Sequence, residues 1–329
     1  MKRYLVIVLL LVLSAAGGYY YFSARQPNFT KDSAAYKAIP VSAPFFLEVS
    51  SSKAIDLNNP VIAELMQAGI GNSWFEFLHL ADSVISDNHN LSKSLLTRPF
   101  ILTWGFSGRN QMIPLFITKA ESANGEKALK DFLNAAYSAL SYNYITKEYG
   151  KHIITEVVKS KADESLFYSF VNGLFLASTR SILIEQVILQ MTTRGIIDNP
   201  YFKEVNRSVS SQGISFFINH SQVNGFFENI ISGKPVEKTD EFGASVRVQP
   251  LAQASKFEGL AGWSGLDLRF ENDYLLLTGI SSADDSLNHF MSVFHEQQPV
   301  RFSAEDVLPA NTSFYCSYSF SEKDRKSVV

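Results

Sequence analysis

Two serines stand in near-copies of the nucleophile elbow G-x-S-x-G: Gly105-Phe106-Ser107-Gly108 and Gly262-Trp263-Ser264-Gly265. In each, the closing glycine is replaced, by Arg109 and by Leu266. An elbow lifts its serine on a tight strand-to-helix turn, whereas strand patterns follow both segments here. Both are therefore read as hairpin turns rich in Ser and Gly. Gly69-Ile70-Gly71 begins like a dinucleotide loop, but Trp74 stands where a third glycine is required, and the segment follows a helical pattern. Of the histidines His79, His89, His152, His220, His289 and His295, no two share the i, i+4 helical spacing of a zinc pair. Asp267, Arg269 and Glu271 alternate onto one strand face. Two carboxylates about a guanidinium suit acid–base chemistry, and equally a solvated sheet face with an ion pair. Asp163-Glu164 and Asp284-Asp285 fall in turns or at a helix start, where acids favour the dipole. Cys316 is the single cysteine, which excludes an intrachain disulfide and any CxxC site. It reads as a small buried apolar residue. No residue is assigned a catalytic, cofactor-binding or metal-binding role, and no cofactor is expected.

The elements around these residues follow from periodicity. Phe45, Leu47 and Val49 alternate with Phe46, Glu48 and Ser50 as a strand. Helices are predicted over 56–68, with Asp56 or Asn59 capping and Pro60 in the first turn, and from Ser73 to Ile85. Strands at 100–106 and 112–118 form a hairpin through Ser107-Gly108-Arg109-Asn110, and a helix follows at 124–140. A meander is expected at 144–149, 152–159, 166–171 and 174–178, turned at Gly150-Lys151 and Asn172-Gly173. Then come helices at 181–191 and 201–209, a strand at 214–219 and a helix at 222–231. Residues 233–248 read as a surface loop, 266–271 and 274–280 as a hairpin, and 285–295 as a helix. The class is α+β: antiparallel hairpins and a meander interleaved with amphipathic helices, after one N-terminal transmembrane helix.

That helix is Tyr4 to Phe22, an uncharged run preceded by Lys2 and Arg3 and ending in Tyr19, Tyr20, Tyr21 and Phe22. Its length matches a bilayer core, the early positive charges stay cytoplasmic, and the aromatics suit the outer interface. A cleaved signal peptide ending near Ser14-Ala15-Ala16 is the alternative. Both export the rest of the chain. With 29 Lys and Arg against 32 Asp and Glu, and no basic run longer than a pair, the chain lacks the footprint of a nucleic-acid binder. The expected organisation is an anchor at 1–23, a tether at 24–38, a first α+β module at 39–195, a second module or its continuation at 196–306, and at 307–329 the start of a further, truncated module.

The last division rests on a repeat. Ile39-Pro40-Val41-Ser42-Ala43-Pro44-Phe45-Phe46-Leu47-Glu48-Val49-Ser50 matches Leu308-Pro309-Ala310-Asn311-Thr312-Ser313-Phe314-Tyr315-Cys316-Ser317-Tyr318-Ser319 at Pro, Phe and Ser. The proline fixes a turn and an aromatic strand starts behind it. An Ile/Leu-Pro-x-x-Ala/Thr start before an aromatic strand, behind a membrane span, resembles a bacterial envelope family classed as a domain of unknown function. The resemblance implies bacterial origin and export, and carries no activity with it. The expected function is that of a single-pass inner-membrane protein, its bulk periplasmic, acting as a structural or interaction module of the cell envelope. Its partners would be the membrane, through residues 4–22, and other envelope proteins. Two alternatives stand beside it: an exported hydrolase with a site built from distant residues, and a lipid- or peptide-binding module.

Overall fold

The computed structural model describes residues 34–51, 59–67, 98–106, 112–120, 123–137, 142–159, 165–210, 213–226, 236–239, 245–248, 259–271, 274–295, 297–298, 308–309 and 317. The span predicted at 4–22, the helix from Ser73 to Ile85, Ser107 and Cys316 lie outside them. No helix among the described residues is long and apolar enough to cross a membrane.

The helices are α1 (Ala34–Lys37), α2 (Pro60–Gln67), α3 (Ala123–Tyr137), α4 (Ser181–Gln190), α5 (Pro200–Ser208) and α6 (His220–Phe226). The strands are β1 (Phe45–Val49), β2 (Phe100–Phe106), β3 (Met112–Lys119), β4 (Tyr142–Tyr149), β5 (His152–Lys159), β6 (Ser165–Val171), β7 (Leu174–Ser178), β8 (Ile214–Asn219), β9 (Val236–Thr239), β10 (Ser245–Val248), β11 (Trp263–Phe270) and β12 (Leu275–Ser282). Ten of them form one antiparallel sheet in the order β12-β11-β8-β1-β2-β3-β7-β6-β5-β4. The α+β reading therefore holds, and the sheet runs through both halves of the chain.

Alternation sends successive side chains to opposite faces. On one face Phe46, Ile101, Leu115, Leu176, Phe217 and Trp263 pack under α1, α4 and α5. On the other, Val49, Phe100 and Ile214 make one cluster, and Phe175 and Ala177 pack with Leu129, Phe132 and Leu133 of α3 in a second. Local chemistry fixes the helix ends. Asn199 accepts from the N–H groups of Tyr201 and Phe202 at 3.0 and 3.2 Å, with Pro200 in the first turn of α5. Asn59 likewise accepts from Val61 at 2.9 Å at the start of α2. In the meander, Asn172 and Gly173 both take positive φ, 48° and 76°, as a tight hairpin turn requires.

The register reveals an internal repeat centred on the β1–β8 pair. Phe46 lies opposite Phe217, and the rings stack 4.5 Å apart at 14°. From there β2 and β3 extend one way, and β11 and β12 the other. Thr103 and Gly265 are the partners of Phe46 and Phe217, and Leu115 and Ile280 lie one strand further out. Unit β1-β2-β3 thus corresponds to unit β8-β11-β12 about a pseudo-two-fold axis. Phe45-Phe46-Leu47-Glu48-Val49-Ser50 corresponds to Phe216-Phe217-Ile218-Asn219-His220-Ser221.

Four readings change. Residues 34–38, assigned to a polar tether, enter the core: Ala35, Tyr36 and Ala38 are buried, because Tyr36 finds polar partners there. Part of the 233–248 loop is a two-stranded ribbon, β9 with β10, in which two short alternating stretches pair antiparallel. The helix over 285–295 is two 3-10 segments, Asp285–Leu287 and Phe290–Phe294. Asn288 at φ 53° interrupts it, a left-handed residue that no continuous helix admits. Gly262 to Gly265 is no hairpin turn: Ser264 lies within β11, with a strand on either side.

Candidate functional site

Three polar clusters are built where strands and helices meet. The first joins His220, Ser264 and Ser281. His220 follows β8 directly, and its backbone N–H donates to the Gly262 carbonyl at 3.2 Å, closing the corner between β8 and β11. Its Nε2 lies 2.7 Å from Ser264 Oγ, which lies 2.7 Å from Ser281 Oγ. Ser264 is 5% exposed and His220 4%. Two proton orders satisfy this chain. Either Ser264 donates to Nε2 and accepts from Ser281, or Nε2–H donates to Ser264, which donates onward.

A serine hydroxyl against an imidazole nitrogen is the pairing of an activated nucleophile. Acyl transfer also needs donors aimed at a developing oxyanion. Ser264 pairs with Ile218 on one side and Ser281 on the other, and Gly265 with Phe217 and Ile280. The backbone amides around the serine are thus committed to the two ladders. The internal repeat supplies a comparison. Val49, Leu102 and Phe116 occupy the corresponding positions in the first unit, and Val49 and Leu102 are buried. The fold builds the same corner from apolar side chains in one unit and from a hydrogen-bonded triplet in the other.

The second cluster surrounds Asp284. Its Oδ2 accepts from the Tyr201 hydroxyl at 2.8 Å, and its Oδ1 from the Ser286 N–H and hydroxyl at 2.8 and 2.6 Å. Its own N–H donates to His289 Nδ1 at 3.0 Å, which places the proton of a neutral His289 on Nε2. The Ser286 hydroxyl, then the Tyr201 hydroxyl, hold the Asp284 carboxyl below its ordinary range, and the same bond raises the Tyr201 phenol. Both shifts favour the carboxylate and the neutral phenol. Beside it Ser282 hydrogen-bonds Glu204.

A depressed carboxyl stabilises the fold above its unfolded value and loses that contribution as pH falls through the folded one; a raised phenol does so below its unfolded value and loses it as pH rises. The Tyr201–Asp284 contact is accordingly complete between about pH 4 and about pH 10. The Ser286 amide resonance is expected to titrate below that lower limit, and to stop doing so in Asp284→Asn. A Ser286 amide indifferent to acid would contradict the assignment.

The third cluster lies in the core. The Tyr36 hydroxyl donates to Glu48 Oε2 at 2.6 Å, and Asn206 Oδ1 lies 3.3 Å away. Burial first, then the Glu48 carboxylate, raise the phenol well above its ordinary value. The tyrosine ties α1 to β1 and α5, and is too well enclosed to serve a ligand.

The sequence candidates separate. Asp267 Oδ1 accepts from the Ser210 N–H at 2.9 Å, closing the loop after α5 onto β11, while Arg269 and Glu271 are exposed. Ser264 meets a partner suited to chemistry, and that partner, His220, lies 44 residues away with no local signal. No group of three metal-binding side chains gathers among the described residues. No family model, curated protein or solved structure matches the chain.

One further feature is a strand edge. At one end of the sheet β4 carries Lys147 and Glu148, and Lys147 reaches Glu185 at 3.4 Å. At the other end β12 reads LLLTGISS, with no charge and no proline. Leu276, Leu277 and Ile280 are exposed, as are Tyr274, Leu287, Phe290 and Val293 nearby. Its counterpart β3 is flanked by β7, and Leu115, opposite number of Ile280, is fully buried. Among the described residues β12 pairs only with β11.

Proposed function

We propose that this is a membrane-tethered, extracytoplasmic interaction module of the bacterial envelope, which offers the outer edge of β12 to an extended strand. One observation carries the reading: an eight-residue edge strand without charge or proline, beside exposed Leu276, Leu277 and Ile280. Unpaired edges invite strand addition, and proteins that avoid it place lysine, proline or a bulge there. The anchor at residues 4–22 and the envelope setting rest on the charge pattern and the resemblance described above.

A second reading, an exported hydrolase, has the His220–Ser264 pair in its favour. Its burial and the committed amides around it weigh against that chemistry.

Lysine at Thr278, an exposed position in mid-edge, tests the proposal. Thr278→Lys is expected to abolish crosslinked complexes of the full chain in intact envelopes. Its stability should stay within about 0.5 kcal/mol of the parent, as for other surface substitutions. Thr146→Lys on the opposite edge is expected to leave the complexes in place. Complexes that survive Thr278→Lys would remove β12 as the contact.

A further inference from the structure

We infer that the strand received by β12 is β12 of a second copy, giving an antiparallel pair across a two-fold axis at Thr278. The inference rests on the edge-binding reading above and names its partner. Three observations point to it. First, a two-fold perpendicular to the sheet keeps each residue on its own face, so strand positions of like parity meet. Centred on Thr278, it sets Leu276 against Ile280 of the second copy, and Ile280 against its Leu276. Thr278 meets its own mate, and Leu277 meets Gly279. The two residues so matched are nearly equally exposed, at 38% and 39%, and lie on the same face. Aliphatic pairs and a Thr–Thr pair are favourable cross-strand partners.

Second, a neutral strand meets itself without repulsion. A charged edge such as β4 would set like charges side by side, Lys147 against its mate when the axis passes through it and Glu148 against its mate when the axis lies one residue on. Third, the chain already uses this contact. β1 and β8 join the two units edge to edge, antiparallel, with equivalent residues Phe46 and Phe217 face to face at the pseudo-axis. Pairing β12 with β12 repeats that junction between chains, at the position where β3 is covered by β7.

The test is disulfide trapping of the full chain in its membrane, in a Cys316→Ser background. On the proposed axis the Cα atoms of a Thr278→Cys pair stand about 4.5–5.5 Å apart, within disulfide reach. Thr278→Cys is expected to give about tenfold more covalent dimer than Thr146→Cys on β4, whose mate lies beyond the disulfide Cα limit of about 7 Å. Leu276→Cys and Ile280→Cys should crosslink to each other when coexpressed, and weakly when alone. Equal trapping at Thr146 and Thr278 would overturn the inference as collision without register. Absence of trapping with the outward-pointing β12 amides protected from exchange would also overturn it, assigning the edge to another segment or protein and leaving the edge-binding reading intact. Absence of trapping with those outward amides unprotected would overturn both.

Discussion

Alanine at Phe217 is expected to lower the unfolding free energy by about 3–5 kcal/mol, the usual range for emptying a large aromatic site in a core. Phe217 is fully buried, stacks on Phe46 and packs its ring 5.7 Å from that of Phe202. Its loss opens a void at the junction of the two sheet units, and relaxation there would pull apart both ladders of β8. Phe216, on the other face and half-buried, is expected to cost less when truncated, because it is never fully desolvated. Urea unfolding measures both, and the midpoint should shift with little change in slope. A loss at Phe217 no larger than at Phe216 would contradict the placement of the pseudo-axis.

Ser264→Ala is expected to cost about 1–3 kcal/mol, because it leaves the buried His220 ring nitrogen without the hydroxyl it now meets. Read as a turn residue, Ser264 should tolerate alanine for under about 1 kcal/mol, as surface positions do. Its burial in β11 overturns that expectation. Adding His220→Leu should recover part of the loss, since the ring nitrogen goes with the hydroxyl it met, while Ser281 still loses Ser264. A double-mutant cycle with additive losses would show that the 2.7 Å contact contributes nothing. Loss of an envelope phenotype in a folded, normally abundant Ser264→Ala chain would instead promote the hydrolase reading.

Much of the sheet was legible because its signals are local. Asn172-Gly173 and Gly150-Lys151 mark turns that only permissive residues can make, and alternation marks the strands between them. Pro200 behind Asn199 marks the start of α5. The ribbon of β9 and β10 was not legible, since four-residue strands among charged neighbours carry too short a period. Nor was the break at Asn288, where a left-handed residue splits a segment with helical spacing. The repeat of β1 at β8 was not legible: the copy at Phe216 to Ser221 lacks the proline start and shows only the aromatic pair, an aliphatic residue and the serine. The match that the sequence does show, at Leu308 to Ser319, lies mostly outside the described residues; within it, Ser317 is exposed and belongs to no strand. The His220–Ser264 contact depends on register across 44 residues, which no local pattern encodes.

Hydrogen exchange along β12 of the full chain, in the membrane that the proposed anchor would enter, tests the central claim most directly. With the edge occupied, the outward-pointing amides among 275–282 should exchange as slowly as those of β3, and should become fast when the protein is dispersed at high dilution in detergent, while the amides bonded to β11 stay slow throughout. The amides of β4, on the opposite edge, should be fast under both conditions at their outward positions. Rapid exchange along β12 in the membrane, indistinguishable from that in dilute detergent, would contradict the account.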